Sequence, residues 1–168
     1  MTWVAVLMGS ESDWPVMQGA ADTLKSLGVI FEVRITSAHR TPRATAEYVV
    51  DAEQRGCAAF ICGAGMAAHL AGAVAAQTIR PVIGVPIDSG PLSGLDALLS
   101  TVQMPGGIPV ATVAVGKAGA KNAGYLAAQM LALNDRVLAA RLLADRDANA
   151  ARVTEQNAKL AQLLRDNS

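Results

Sequence analysis

Aromatic side chains are scarce in this sequence: two Trp, two Tyr and two Phe make up 4% of 168 residues. A core built on large rings is excluded, and the loops lack the aromatic pair that would flank a flavin. Cysteine is as rare, with only Cys57 and Cys62. Two thiols so close in sequence make neither a disulfide framework nor a zinc knuckle, and both are expected as buried free thiols. Net charge is missing too, because 14 basic residues balance 14 acidic ones. No summed attraction draws in a polyanion such as DNA, so the expected partner is a small molecule. Gly, Pro and Gln interrupt every apolar run short of the ~20 residues a membrane helix needs. Residues 1–9 read as a strand rather than as a leader with a Lys/Arg head. These absences set the expectation of a cytoplasmic protein with neither a membrane nor a nucleic-acid partner.

What the chain does have is apolar bulk, 52% of its residues, enough for a sizeable core in one domain. Trp3–Met8 is a continuous apolar run closed by Gly9, and from Pro15 the apolar residues recur at helical spacing until Gly28. The pattern repeats. Val29–Ile35 precedes a helix from Thr41-Pro42 to Gly56, with Thr41 as the expected N-cap. Cys57–Cys62 leads through Gly63-Ala64-Gly65 into an Ala-rich helix over 67–77, apolar almost all round and expected to be buried on every side. Val82–Ile87 and Val110–Val115 open two further units. Strands apolar throughout belong in a parallel sheet covered on both faces, so the expected fold is a three-layer α/β/α sandwich. For five strands the flavodoxin-like order 2-1-3-4-5 is common, and ligands then bind beyond the carboxyl ends of strands 1 and 3. The whole chain, 1–168, reads as one such domain. Its C-terminal helical extension, 134–168, is too poor in apolar residues to lie wholly on its own domain. It is either solvated or an arm across a neighbouring subunit.

Three loops meet at one sheet edge under that order. Gly9-Ser10-Glu11-Ser12-Asp13 precedes a helix start, where free amides and hydroxyls attract a phosphate and Asp13 accepts from a ribose. Ser37-Ala38-His39-Arg40 puts a proton shuttle beside a forked, permanently charged guanidinium. Gly63-Ala64-Gly65-Met66-Ala67-Ala68-His69 brings the only other histidine. Capping, packing and ion pairing each explain one of these loops alone; their convergence is what marks a site. A rival reading is a dinucleotide module, with Gly63-x-Gly65-x-x-Ala68 followed by Asp88. It leaves Ser10, Asp13, His39 and Arg40 unexplained. A second rival, an FMN carrier using Ser10 and Ser12, lacks the flanking aromatics.

The blocks GSESDW, SAHRTP, GAGMAAHLAG and VQMPGGIPVATVAVGKAGAKNA, in order across roughly residues 3–145, resemble those of the N5-carboxyaminoimidazole ribonucleotide mutase family, the bacterial PurE type. The resemblance implies a flavodoxin-like homo-octamer without metal or organic cofactor, an isomerase of purine biosynthesis. It would convert N5-carboxyaminoimidazole ribonucleotide into the 4-carboxy isomer. It further implies that Ser10, Ser12, Asp13 and Arg40 hold the ribose phosphate, with Ser37 and Ala38 lining the site. His39 is then the general acid and base, and His69 lies over the base ring. Gly9, Gly65, Met66, Ala67 and Leu70 complete the implied substrate-binding set. Carbon dioxide, released and recaptured, would sit in a dry pocket walled by Ala64, Ala67 and Ala68. The third block departs from the family's usual GAGGAAHLPGM at Met66, Ala71 and Ala73. The related direct carboxylases, which add free carbon dioxide to aminoimidazole ribonucleotide, differ in this same region and are the alternative. Should the backbone at 66 have φ above zero, Met would carry a strain of roughly 1–2 kcal/mol.

Overall fold

A computed structural model describes residues 2–166. Its centre is a five-stranded parallel sheet in the order β2-β1-β3-β4-β5. The strands are β1 (Trp3–Met8), β2 (Phe31–Ile35), β3 (Cys57–Gly65), β4 (Val82–Ile87) and β5 (Ala111–Thr112). The helices are α1 (Trp14–Ser26), α2 (Pro42–Gln54), α3 (Leu70–Ala75), α4 (Leu95–Val102), α5 (Lys117–Ala132) and α6 (Arg136–Asp166), with a 3-10 turn, Glu11–Asp13, before α1. This is the flavodoxin-like sandwich that the apolar runs predict.

The continuous apolar character of β1 follows from burial on both faces. Val4, Val6 and Met8 pack with Met17, Ala20 and Leu24 of α1 and Ala120, Ala123 and Ala127 of α5. Trp3, Ala5 and Leu7 point the other way, into a cluster with Tyr48, Val49 and Ala52 of α2 and Leu70, Ala71 and Val74 of α3. Small side chains on α1 and α5 let the two helices lie close, as the scarcity of rings suggests. Both thiols are free and buried, and desolvation pushes Cys57 up to about 11 and Cys62 higher still.

Four elements differ from expectation. β2 is exposed along most of its length, with Glu32 and Arg34 alternating with Val33 and Ile35, because it is the sheet edge with a partner only in β1. β5 has shrunk to two residues, the other edge, where pairing to β4 holds only Ala111 and Thr112. The helix expected over 67–77 is only six residues long. Ala67 and His69, exposed, belong to the turn before it, and Ala76 and Gln77 are exposed after it. Thr41 makes no side-chain cap on α2; its hydroxyl turns back to Ser37 instead. Met1, part of the expected first strand, and residues 167–168 of the tail lie outside the described residues.

α6 runs for 31 residues with Leu138 its only buried side chain. Its first turns rest on α5, and every described residue from 151 onward is exposed. Among the described residues no helix is long and apolar enough to cross a membrane.

Candidate active site

A cavity of about 260 Å³ opens at the carboxyl end of the sheet, where the winding reverses between β1 and β3. From the loop after β1 come Gly9, Ser10, Ser12 and Asp13. The loop after β2 adds Ser37, Ala38, His39 and Arg40. Gly65, Met66, Ala67, His69 and Leu70 close it from the end of β3 and the turn beyond. Every residue singled out from the sequence as catalytic or substrate-binding therefore lines one space. Ala64 lines it too, but Ala68 does not. It is buried, and its amide donates to Ser100 Oγ on α4 at 3.0 Å.

The β1 loop is tied by a capping box. Ser12 N–H donates to Ser10 Oγ, and Ser10 N–H donates to Asp13 Oδ2 at 3.0 Å. Ser12 Oγ also reaches Ser10 Oγ at 3.0 Å. Asp13 is 7% exposed. Burial raises its carboxyl above the usual range, against the opposing pull of the Ser10 and Gly9 amides.

The β2 loop is locked around Ser37. Its amide donates to Thr41 Oγ1 at 3.0 Å, its carbonyl accepts from Thr41 N at 2.9 Å, and its Oγ accepts from Arg40 N at 3.1 Å. That frame holds His39 and Arg40 outward over the cavity. The guanidinium of Arg40 has no ion-pair partner among the described residues, so its charge is free for an anion.

His39 Nε2 and His69 Nδ1 are 2.8 Å apart, with the rings edge to face at 85°. One nitrogen must donate and the other accept, and a doubly protonated ring has no lone pair to offer. With the contact intact the pair therefore carries at most one positive charge, and a single proton lies between the rings. His69 reaches this position because the chain does not become helical until Leu70. The turn before it includes Met66 at φ +54°, a left-handed backbone at a non-glycine residue.

Sequence reasoning missed Ser89, two residues beyond β4, which also lines the cavity. Asp-Ser-Gly-Pro reads as an ordinary turn, and nothing in its spacing marks a ligand contact. The dinucleotide reading fails on geometry. Gly63-x-Gly65-x-x-Ala68 ends a strand but opens no helix, since α3 starts later and has six residues, and Asp88 does not line the cavity.

Fold and cavity together define a flavodoxin-like sandwich with a histidine pair and a free guanidinium at its topological switch point. A family model described as AIR carboxylase matches residues 3–152, and the chain belongs to that family. The N5-carboxyaminoimidazole ribonucleotide mutase of Brucella melitensis biotype 1 is 55% identical over 153 residues, 91% of this chain and 94% of the relative. The Bacillus subtilis enzyme of the same name is 52% identical over 94% of this chain and 97% of its own length. Among solved structures, Treponema denticola PurE superposes with a TM-score of 0.85 at 31% identity, covering 95% of this chain and 99% of that one.

Proposed function

We propose that this chain is an N5-carboxyaminoimidazole ribonucleotide mutase of purine biosynthesis, moving a carboxylate from the exocyclic nitrogen to C4 of the imidazole. The observation that carries the reading is the 2.8 Å contact of His39 and His69 in a cavity that Arg40, Ser10 and Ser12 also line. Curated relatives over most of the chain, named for this activity, support it.

The chemistry asks little of the protein. A carbamate loses carbon dioxide once its nitrogen is protonated, and the enamine-like C4 of the product then attacks the gas. Arg40, with the Ser10 and Ser12 hydroxyls, grips the phosphate, and Asp13 takes the ribose. Ser37 and Ala38, in the locked loop, hold His39 against the base. Protonated His39 gives its proton to the carbamate nitrogen, which replaces His69 Nδ1 as the acceptor. Neutral His39 then removes the C4 proton and restores the aromatic ring, so no net proton is consumed and no metal or organic cofactor is required. His69 fixes the His39 ring between the two steps and lies over the base. Gly9 lets the backbone approach the phosphate, and Gly65, Ala67 and Leu70 give the base a close-fitting bed. Carbon dioxide is kept from water by Ala64, Ala67 and Met66 rather than by Ala68.

The protein works as a homo-oligomer, by family resemblance an octamer, in the cytoplasm. Supporting this, Leu95, Leu99 and Val102 of α4 are each at least 45% exposed beside the cavity's Met66, at 57%. Four large apolar groups in one region await a partner. The C-terminal part of α6 serves as an arm on a neighbouring subunit, since Val153 and Leu160 touch no core of their own.

The reading is tested by supplying each ribonucleotide to the purified protein with and without added bicarbonate. Conversion of the N5-carboxy substrate, unaffected by bicarbonate, is expected. Turnover only of aminoimidazole ribonucleotide, in proportion to bicarbonate, would instead identify a direct carboxylase.

A further inference from the structure

The cavity has a fourth wall, from the loop after β4. Ser89 follows Ile87, the last residue of that strand, and its amide donates to the Ile87 carbonyl at 2.9 Å, which fixes the turn. The other serine hydroxyls lining the cavity are engaged within the protein. Ser10 Oγ accepts from Ser12, Ser12 Oγ donates to Ser10, and Ser37 Oγ accepts from Arg40 N. Ser89 Oγ alone among them makes no hydrogen bond within the described residues, although it lines the cavity and is only partly exposed.

The neighbouring strand makes room for it. A Cβ on Gly65 would collide with Ser89 Oγ, so the end of β3 must lack a side chain for the hydroxyl to stand there. Gly65 φ is not positive, which leaves close approach, not a special backbone conformation, as the reason for glycine. A hydroxyl admitted at the cost of a side chain, then left unpaired, is poised for a ligand atom.

Its place in the sheet says which atom. Arg40 follows β2 and Ser10 and Ser12 follow β1, whereas β4 lies two strands beyond β1. At ~4.8 Å per strand, Ser89 stands on the order of 10 Å from the phosphate grip at β1, past the sugar and towards the far edge of the base. For a mutase substrate, the group at that edge is the migrating carboxylate.

We propose that Ser89 is a substrate-binding residue that donates a hydrogen bond to the carboxylate being moved. A neutral donor suits this task. It orients the carboxylate without the ion pair that would resist carbon dioxide leaving. The inference rests on the mutase reading, and its test separates the two. Calorimetric titration of the full-length wild type and Ser89→Ala would use two ribonucleotides, 4-carboxyaminoimidazole ribonucleotide and the uncarboxylated aminoimidazole ribonucleotide. Loss of a hydrogen bond to a charged group should weaken the first by roughly 10- to 100-fold in the variant. The second should stay within about twofold, a split that a merely structural serine would not produce. Equal affinity of both proteins for the carboxylated ligand, or an equal loss for both ligands, overturns the role of Ser89 while leaving the mutase intact. A wild type that binds neither ligand overturns the mutase reading and this inference with it.

Discussion

Replacing Met66 separates what its backbone costs from what its side chain does. At φ +54° any L residue meets the left-handed penalty of roughly 1–2 kcal/mol, which glycine escapes. Glycine in turn makes the unfolded chain more flexible, at about 0.4–1 kcal/mol. The difference leaves Met66→Gly more stable than Met66→Ala by about 0.5–1 kcal/mol, or about 1–4 °C in a chain of this size. Comparing the two variants with each other, not with wild type, removes the thioether's own contacts from both sides. Those contacts are modest, because the side chain is 57% exposed. The assay is a thermal melt of both variants at one protein concentration, which keeps any self-association equal in the two samples. Met66→Ala melting at or above Met66→Gly would refute the strain argument.

Arg40→Ala should weaken ribonucleotide binding by about 1.5–3 kcal/mol, as removal of a charged hydrogen bond does; unchanged affinity in a titration would remove it from the phosphate grip. Burial raises the Asp13 carboxyl, so its ionised form is disfavoured in the folded state. The protein therefore loses stability as pH rises through the range from the unfolded to the raised folded value, and regains it on acidification. Asp13→Asn should accordingly melt above wild type at pH 7 with a gain that shrinks towards pH 4, while binding ribonucleotide more weakly; a gain independent of pH would contradict this. Deleting residues 146–168 should lower the assembly's mass by light scattering beyond the mass of the removed segments, and an unchanged subunit number would return the tail to solvent.

The sheet was legible because β1, β3 and β4 are buried on both faces and so lack any polar alternation. The edges were not, since Phe31–Ile35 carries Glu32 and Arg34 and pairs on one side only. Periodicity also cannot see a turn made of helix-forming residues. Ala67 and Ala68 look helical, yet the positive φ at Met66 and the Ser100 hydrogen bond hold the chain open as far as His69. The histidines, Arg40 and the serine loops stand out in the sequence because acid/base and anion-binding chemistry uses those residue types at a strand's carboxyl end, and they do line one cavity. Ser89 does not stand out in this way, because the room for its hydroxyl is a gap that Gly65 leaves on a different strand.

His39 is the group to which both proton transfers are assigned. Turnover of N5-carboxyaminoimidazole ribonucleotide by His39→Asn should fall by at least ~100-fold, the low end for a positioned acid and base, while ribonucleotide affinity and melting temperature stay close to wild type. Near-normal turnover in that variant would contradict the mechanism, because no other group in the cavity is assigned both proton steps.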